Sequence, residues 1–111
     1  MGFFDFFTRR SDMEERLERW RETPGALLLD VRTPEEYRSG HVPGAKNLPL
    51  DRLGELELPK DRPVFAYCLS GARSAQATAW LRRQGYEAMN LGGIGSYRGP
   101  LENKLKKEEA S

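Results

Sequence analysis

The sequence predicts an α/β fold: a mainly parallel central sheet flanked by helices. Three observations predict it. The apolar runs at residues 26–31 and 63–67 are continuous rather than alternating, which suits strands buried on both faces. Segments with helix-start signals lie between such runs, so strands and helices alternate along the chain. Glycine and proline mark the boundaries, as at Thr23-Pro24-Gly25, Gly40 and Gly85.

The elements follow in order. Ser11-Asp12-Met13-Glu14 reads as a capping box opening a helix to about Glu22, with Met13, Leu17 and Trp20 or Arg21 at helical spacing. Residues 26–31 form a buried strand with a polar end at Asp30. Thr33-Pro34-Glu35-Glu36 is a second capping box with proline at the first helical position, and Gly40 ends that short helix. The turn-rich link His41-Val42-Pro43-Gly44-Ala45 leads to a short strand at 46–48, and 50–56 reads as one or two helical turns. Residues 63–67 are the next strand, 74–84 a helix ended by Gly85, and 87–91 a last strand before Gly92-Gly93 turns the chain back. The expected organisation is an aromatic segment at 1–10, one domain at 11–102 and a polar tail at 103–111.

Composition narrows the function. A chain of 111 residues holds one ordinary domain. Lys+Arg 18 against Asp+Glu 17 leaves net charge +1, no electrostatic case for a nucleic-acid partner. No apolar run approaches the length of a membrane span, so no integral membrane segment is expected. Phe3-Phe4-Asp5-Phe6-Phe7 is short, and Arg9 and Arg10 follow it, the reverse of a secretory signal; it reads as a flap or edge strand laying aromatics on the domain. The single cysteine cannot form an internal disulfide, which points to a reducing, cytoplasmic setting. One Cys and one His are too few soft ligands for a zinc site, and Gly92-Gly93 lacks the spacing of a dinucleotide loop, so no cofactor is expected. His41, between Gly40 and Pro43, reads as a turn-stabilising residue, and Trp20 and Trp80 as core.

Ligand sites in such sheets lie beyond the carboxyl ends of the strands, where Asp30, Cys68 and Gly92-Gly93 all fall. Cys68 is followed by Leu69, Ser70, Gly71, Ala72, Arg73 and Ser74. Small residues let this backbone curl with its N–H groups pointing inward, and a helix N-terminus follows. Dipole, amides and the Arg73 charge all lower a thiol pKa, so Cys68 reads as a reactive nucleophile rather than an inert core cysteine.

Four segments then carry a resemblance: Leu28 to Tyr37, Gly40 to Ala45, the loop Cys68 to Ser74, and Leu91-Gly92-Gly93-Ile94. Together, in this order, they resemble a single-domain rhodanese, a sulfurtransferase, over roughly residues 11–102. The resemblance implies a three-layer sandwich and a persulfide mechanism. A Cys68 thiolate takes sulfur from a small anionic donor such as thiosulfate and passes it to a thiol, cyanide or a protein acceptor. It also implies that the amides from Leu69 to Ser74 cradle the sulfur and that Arg73 steers the donor; Asp30 and Arg32, at the neighbouring strand end, are expected to brace the loop or rim. Two departures stand out: Tyr97 occupies a position often held by tryptophan, bearing on a pocket wall, and the usual first strand is not evident. Two other readings compete. Tyrosine-type phosphatases, with arsenate reductases on a similar frame, use Cys-x5-Arg; here the spacing is Cys-x4-Arg, a loop sized for one sulfur atom rather than a tetrahedral oxyanion. A persulfide carrier or redox-sensing module serving a partner protein would need the same loop.

Overall fold

The computed structural model describes residues 12–103. The aromatic segment 1–10, Ser11 of the first capping box and the tail from 104 onward lie outside the described residues. The elements are α1 (Asp12–Glu22), β1 (Leu27–Asp30), α2 (Pro34–Ser39), β2 (Lys46–Asn47), a 3-10 helix (Leu50–Glu55), β3 (Val64–Cys68), α3 (Ala72–Arg83), β4 (Ala88–Gly93) and a second 3-10 turn (Ile94–Ser96).

The four strands pair in the order β2-β1-β3-β4, and every pairing is parallel. β1 and β3 are therefore the central strands, which explains their unbroken apolar runs: both faces are covered. Side chains alternate across the sheet. Val64, Ala66 and Cys68 enter one core cluster with Leu53, Ala77, Leu81 and Tyr86. Phe65 and Tyr67 enter the other, with Met13, Leu17, Val42 and Leu91. One layer is thus α3 with the first 3-10 helix; the opposite layer is built on α1, with Tyr37 of α2 packed against it. This is the α/β sandwich that the sequence predicts. Parity along β3 sends the Cys68 side chain to the α3 side.

The cap of α2 is as the sequence reads it: Thr33 Oγ1 accepts from the Glu36 N–H at 3.2 Å, and Glu36 Oε1 accepts from the Thr33 N–H at 2.9 Å. Among the boundaries that differ from expectation, three bear on the site. β3 runs through Cys68, so the cysteine is the last residue of the strand rather than the first of the loop. α3 begins at Ala72, two residues earlier than Ser74, because Gly71 adopts φ 102°, a left-handed conformation that turns strand into helix within three residues. β4 extends through Gly93, because an extra residue enters it: Ala66 pairs with Asn90, yet Tyr67 pairs with Gly92. This bulge, with Gly92 at φ 100°, carries the strand past the site before it turns.

His41 holds a turn, as expected. Its ring stacks on Tyr37 at 3.7 Å, Nδ1 donates to the Tyr37 carbonyl at 2.8 Å, and its backbone exchanges two hydrogen bonds with Glu102. Tyr97 departs from expectation: its ring packs with the α1 layer, and its hydroxyl donates to the Pro100 carbonyl at 2.8 Å.

Candidate active site

The carboxyl ends of β1, β3 and β4 bring Asp30, Cys68 and Gly93 to one edge of the sheet. Cys68 is fully covered, at 0% exposure, and its sulfur lies against the start of α3. The Gly71 N–H donates to Sγ at 3.0 Å and the Ser74 N–H at 3.3 Å, with the Ser74 hydroxyl at 3.4 Å. Burial pushes the thiol up. Hydrogen bonds from the Ser74 hydroxyl and from the amides of Ser74, Gly71 and Ser70 outweigh it and leave the pKa below the ordinary cysteine value. The covered sulfur is therefore held by donors rather than by apolar contact alone. Leu69, next in the chain, stands 54% exposed at the rim.

Asn90 is a residue that sequence reasoning missed. Its Oδ1 accepts from the Ser74 hydroxyl at 2.6 Å and from the Gly92 N–H at 2.9 Å, while Nδ2 donates to the Gly71 carbonyl at 3.2 Å. One amide side chain thus ties the loop to the bulge of β4. Nothing in the sequence marks it, because its partners are set by the register of two strands. The Ser74 hydroxyl has one proton and three acceptors: Asn90 Oδ1, the Gly71 carbonyl at 3.2 Å and Sγ. Asn90 makes the shortest contact, so the two backbone amides are the standing donors to sulfur and the hydroxyl is a further one on rotation. Gly93 packs against the loop so tightly that a Cβ there would sit 2.8 Å from Ser70 Cα and overlap the Leu69 carbonyl.

Arg73 lies in the first turn of α3, and its guanidinium is paired. Nη1 and Nη2 donate to Glu36 Oε1 and Oε2 at 2.9 and 3.1 Å, with the side chains 33% and 30% exposed. The hydrogen bonds and charge of Glu36 above all raise the Arg73 pKa, against its burial. In return, Arg73 draws the Glu36 carboxyl down to about 2, against its burial and with help from the Thr33 N–H. Stability from this pairing is complete above the ordinary carboxylate range and is lost progressively as pH falls from there through about 2.

Asp30 and Arg32 form a buried pair. Arg32 Nη2 donates to Asp30 Oδ2 at 2.7 Å and Nε to Oδ1 at 2.9 Å; Nη2 also donates to the Gly40 carbonyl at 2.7 Å. The guanidinium lies 5.6 Å from the Tyr67 ring, and the Tyr67 hydroxyl accepts from the Val42 N–H at 3.0 Å. The pair thus reaches the Gly40 carbonyl in the link after β1 and lies over the ring of Tyr67, the residue preceding Cys68. Among the described residues no cluster of His, Cys, Asp and Glu could hold a metal ion, and no helix is long and apolar enough to cross a membrane.

A family model described as Rhodanese-like domain matches residues 13–99. The chain belongs to the rhodanese-like family. This rhodanese-like chain is 47% identical over 87 residues to a protein named sulfurtransferase from Allochromatium vinosum, covering 75% of this chain and 81% of that one. It is 40% identical over 81 residues to a tRNA sulfurtransferase from Desulfurococcus amylolyticus, 71% of this chain but only 16% of that longer protein. A rhodanese-like domain protein from Staphylococcus aureus superimposes with a TM-score of 0.72 at 31% identity, covering 83% of this chain and 94% of that structure. The relatives and the fold agree with the single-domain reading of the matched region.

The sulfur–hydroxyl geometry makes one prediction. Ser74→Ala removes the rotatable donor while leaving both amides. Cys68 alkylation by iodoacetamide at neutral pH is expected to slow by roughly twofold to tenfold, the worth of one such hydrogen bond. The rate profile should shift to higher pH, since a weaker donor set leaves less thiolate. An unchanged profile would show that the hydroxyl never turns to the sulfur.

Proposed function

We propose that this rhodanese-like protein is a sulfurtransferase that carries sulfane sulfur on Cys68, working in a reducing compartment such as the cytoplasm. The observation that carries the reading is the sulfur held by the Gly71 and Ser74 amides at 3.0 and 3.3 Å, at a strand end and a helix start. The thiolate attacks the outer sulfur of a donor such as thiosulfate. An S–S bond forms, the bond to the sulfonate sulfur breaks, and sulfite leaves with the electron pair. A nucleophilic acceptor, cyanide, a thiol or a protein thiolate, then attacks the terminal sulfur, and the electron pair returns to Sγ. No net oxidation occurs and no cofactor is required. The amides stabilise charge on sulfur through both halves, as an oxyanion hole stabilises oxygen.

Leu69, Ser70, Gly71, Ala72, Arg73 and Ser74 form the cradle in this reading, with Asp30 and Arg32 as supports. Two amides converging on one sulfur favour it over phosphatase chemistry, which places donors around a tetrahedral oxyanion. The test is mass spectrometry of protein incubated with thiosulfate, then with cyanide. One added sulfur on the Cys68 peptide, lost on adding cyanide with formation of thiocyanate, is expected. No added sulfur with any sulfane donor would overturn the reading.

A further inference from the structure

We infer that Glu36 sets donor selectivity in this site: by holding Arg73 it leaves the sulfur without a free guanidinium, disfavouring dianionic thiosulfate and favouring the uncharged outer sulfur of an alkyl persulfide. The inference rests on the sulfurtransferase reading and deepens it.

Charge is the basis. Thiosulfate reacting with a Cys68 thiolate gathers three negative charges in the transition state: one from the thiolate and two from the donor. A protonated persulfide, R–S–SH, gathers one. In that step the thiolate attacks the terminal sulfur, the R–S bond breaks, Cys68–S–SH forms, and RS⁻ leaves with the electron pair. Atoms and charge balance in both cases, and only the first calls for a cation beside the sulfur. Two amides and a helix start supply partial charges only.

Arg32, just past the end of β1, and Arg73, in the first turn of α3, are both committed. Arg32 is buried in its pair with Asp30 and the Gly40 carbonyl. Arg73 gives both terminal nitrogens to Glu36. Glu36 is itself held: its Oε1 also accepts from the Thr33 N–H at 2.9 Å and faces the Thr33 hydroxyl at 3.2 Å. The capping box of α2 therefore fixes the carboxylate, and the carboxylate fixes the arginine, so swinging Arg73 toward a donor costs a bidentate contact. Glu36 acts through Arg73 and is a positioning residue.

The experiment is steady-state kinetics with thiosulfate and with glutathione persulfide as donors and cyanide as common acceptor, in wild type, Glu36→Gln and the double variant Glu36→Gln/Arg73→Ala. Glutamine at the third helical position retains the cap, so α2 is kept while the charge is removed. Glu36→Gln is expected to raise kcat/KM for thiosulfate by roughly tenfold to a hundredfold, the worth of a freed charge-assisted contact. The value for glutathione persulfide should move far less, so the selectivity ratio shifts; the double variant should lose the gain. A merely structural role for Glu36 cannot produce a gain for one donor that depends on Arg73. A second measurement needs no variant. Salt screens like charges, so wild-type kcat/KM for thiosulfate should rise with ionic strength; a fall would reveal a free cation and overturn the inference. An unchanged or lower thiosulfate value in Glu36→Gln, with persulfide turnover retained, would overturn the inference and leave the sulfurtransferase reading intact. Failure of both donors to load sulfur onto wild-type Cys68 would overturn both.

Discussion

Cys68→Ser is expected to abolish sulfur transfer, by roughly three orders of magnitude or more, while the protein stays folded. Serine is close in size, and its oxygen would meet the same donors, the Gly71 and Ser74 amides. Loss of function without loss of structure follows, because the hydroxyl is not ionised at neutral pH and is a poor sulfur nucleophile. Cys68 is the only cysteine in the chain, so no neighbouring thiol can take over. The checks are thiosulfate:cyanide turnover, the mass gain on the peptide and a thermal melt. Turnover within tenfold of wild type would place the chemistry elsewhere.

Asp30→Ala is expected to cause the largest loss of stability, about 3–5 kcal/mol, read by urea denaturation. Asp30 is completely buried and Arg32 nearly so. Removing the carboxylate leaves a guanidinium in the interior with the Gly40 carbonyl, among the described residues, as its remaining acceptor. Tyr67 loses a partner too, since Asp30 lies near its hydroxyl and, after burial, helps push the phenol pKa upward. Replacing both charges together, Asp30→Leu with Arg32→Met, is expected to cost less than the single change, because no unpaired charge remains. A single-variant loss below about 1 kcal/mol would mean that Arg32 finds solvent or another acceptor.

These two predictions differ in how far the sequence supports them. The case for Cys68 is local: a continuous apolar run, a curl of small residues and a helix carry it within about a dozen residues. Asp30 was legible as the polar end of a strand, but its bidentate hold on Arg32 appears only once β1 lies beside β3, with Tyr67 paired opposite. The capping box Thr33 to Glu36 marks a helix start in the sequence, and nothing local reveals that its carboxylate reaches Arg73, 37 residues away. Asn90 carried no local signal at all.

The sequence by itself determined the class of fold, the order of its elements, the position of the thiol and the family. Those properties follow from local rules: two-sided burial makes a strand uniformly apolar, caps and prolines open helices, and glycines close them. Only the tertiary structure decided which face of the sheet receives Cys68, where β4 bulges to aim Asn90 at the loop, and which carboxylate holds Arg73. A strand buried on both faces is apolar at every position, so its pattern cannot say which side a given residue faces. Register, bulge and long-range ion pairs arise from how separate segments meet, and charge has no periodicity from which a distant partner could be read.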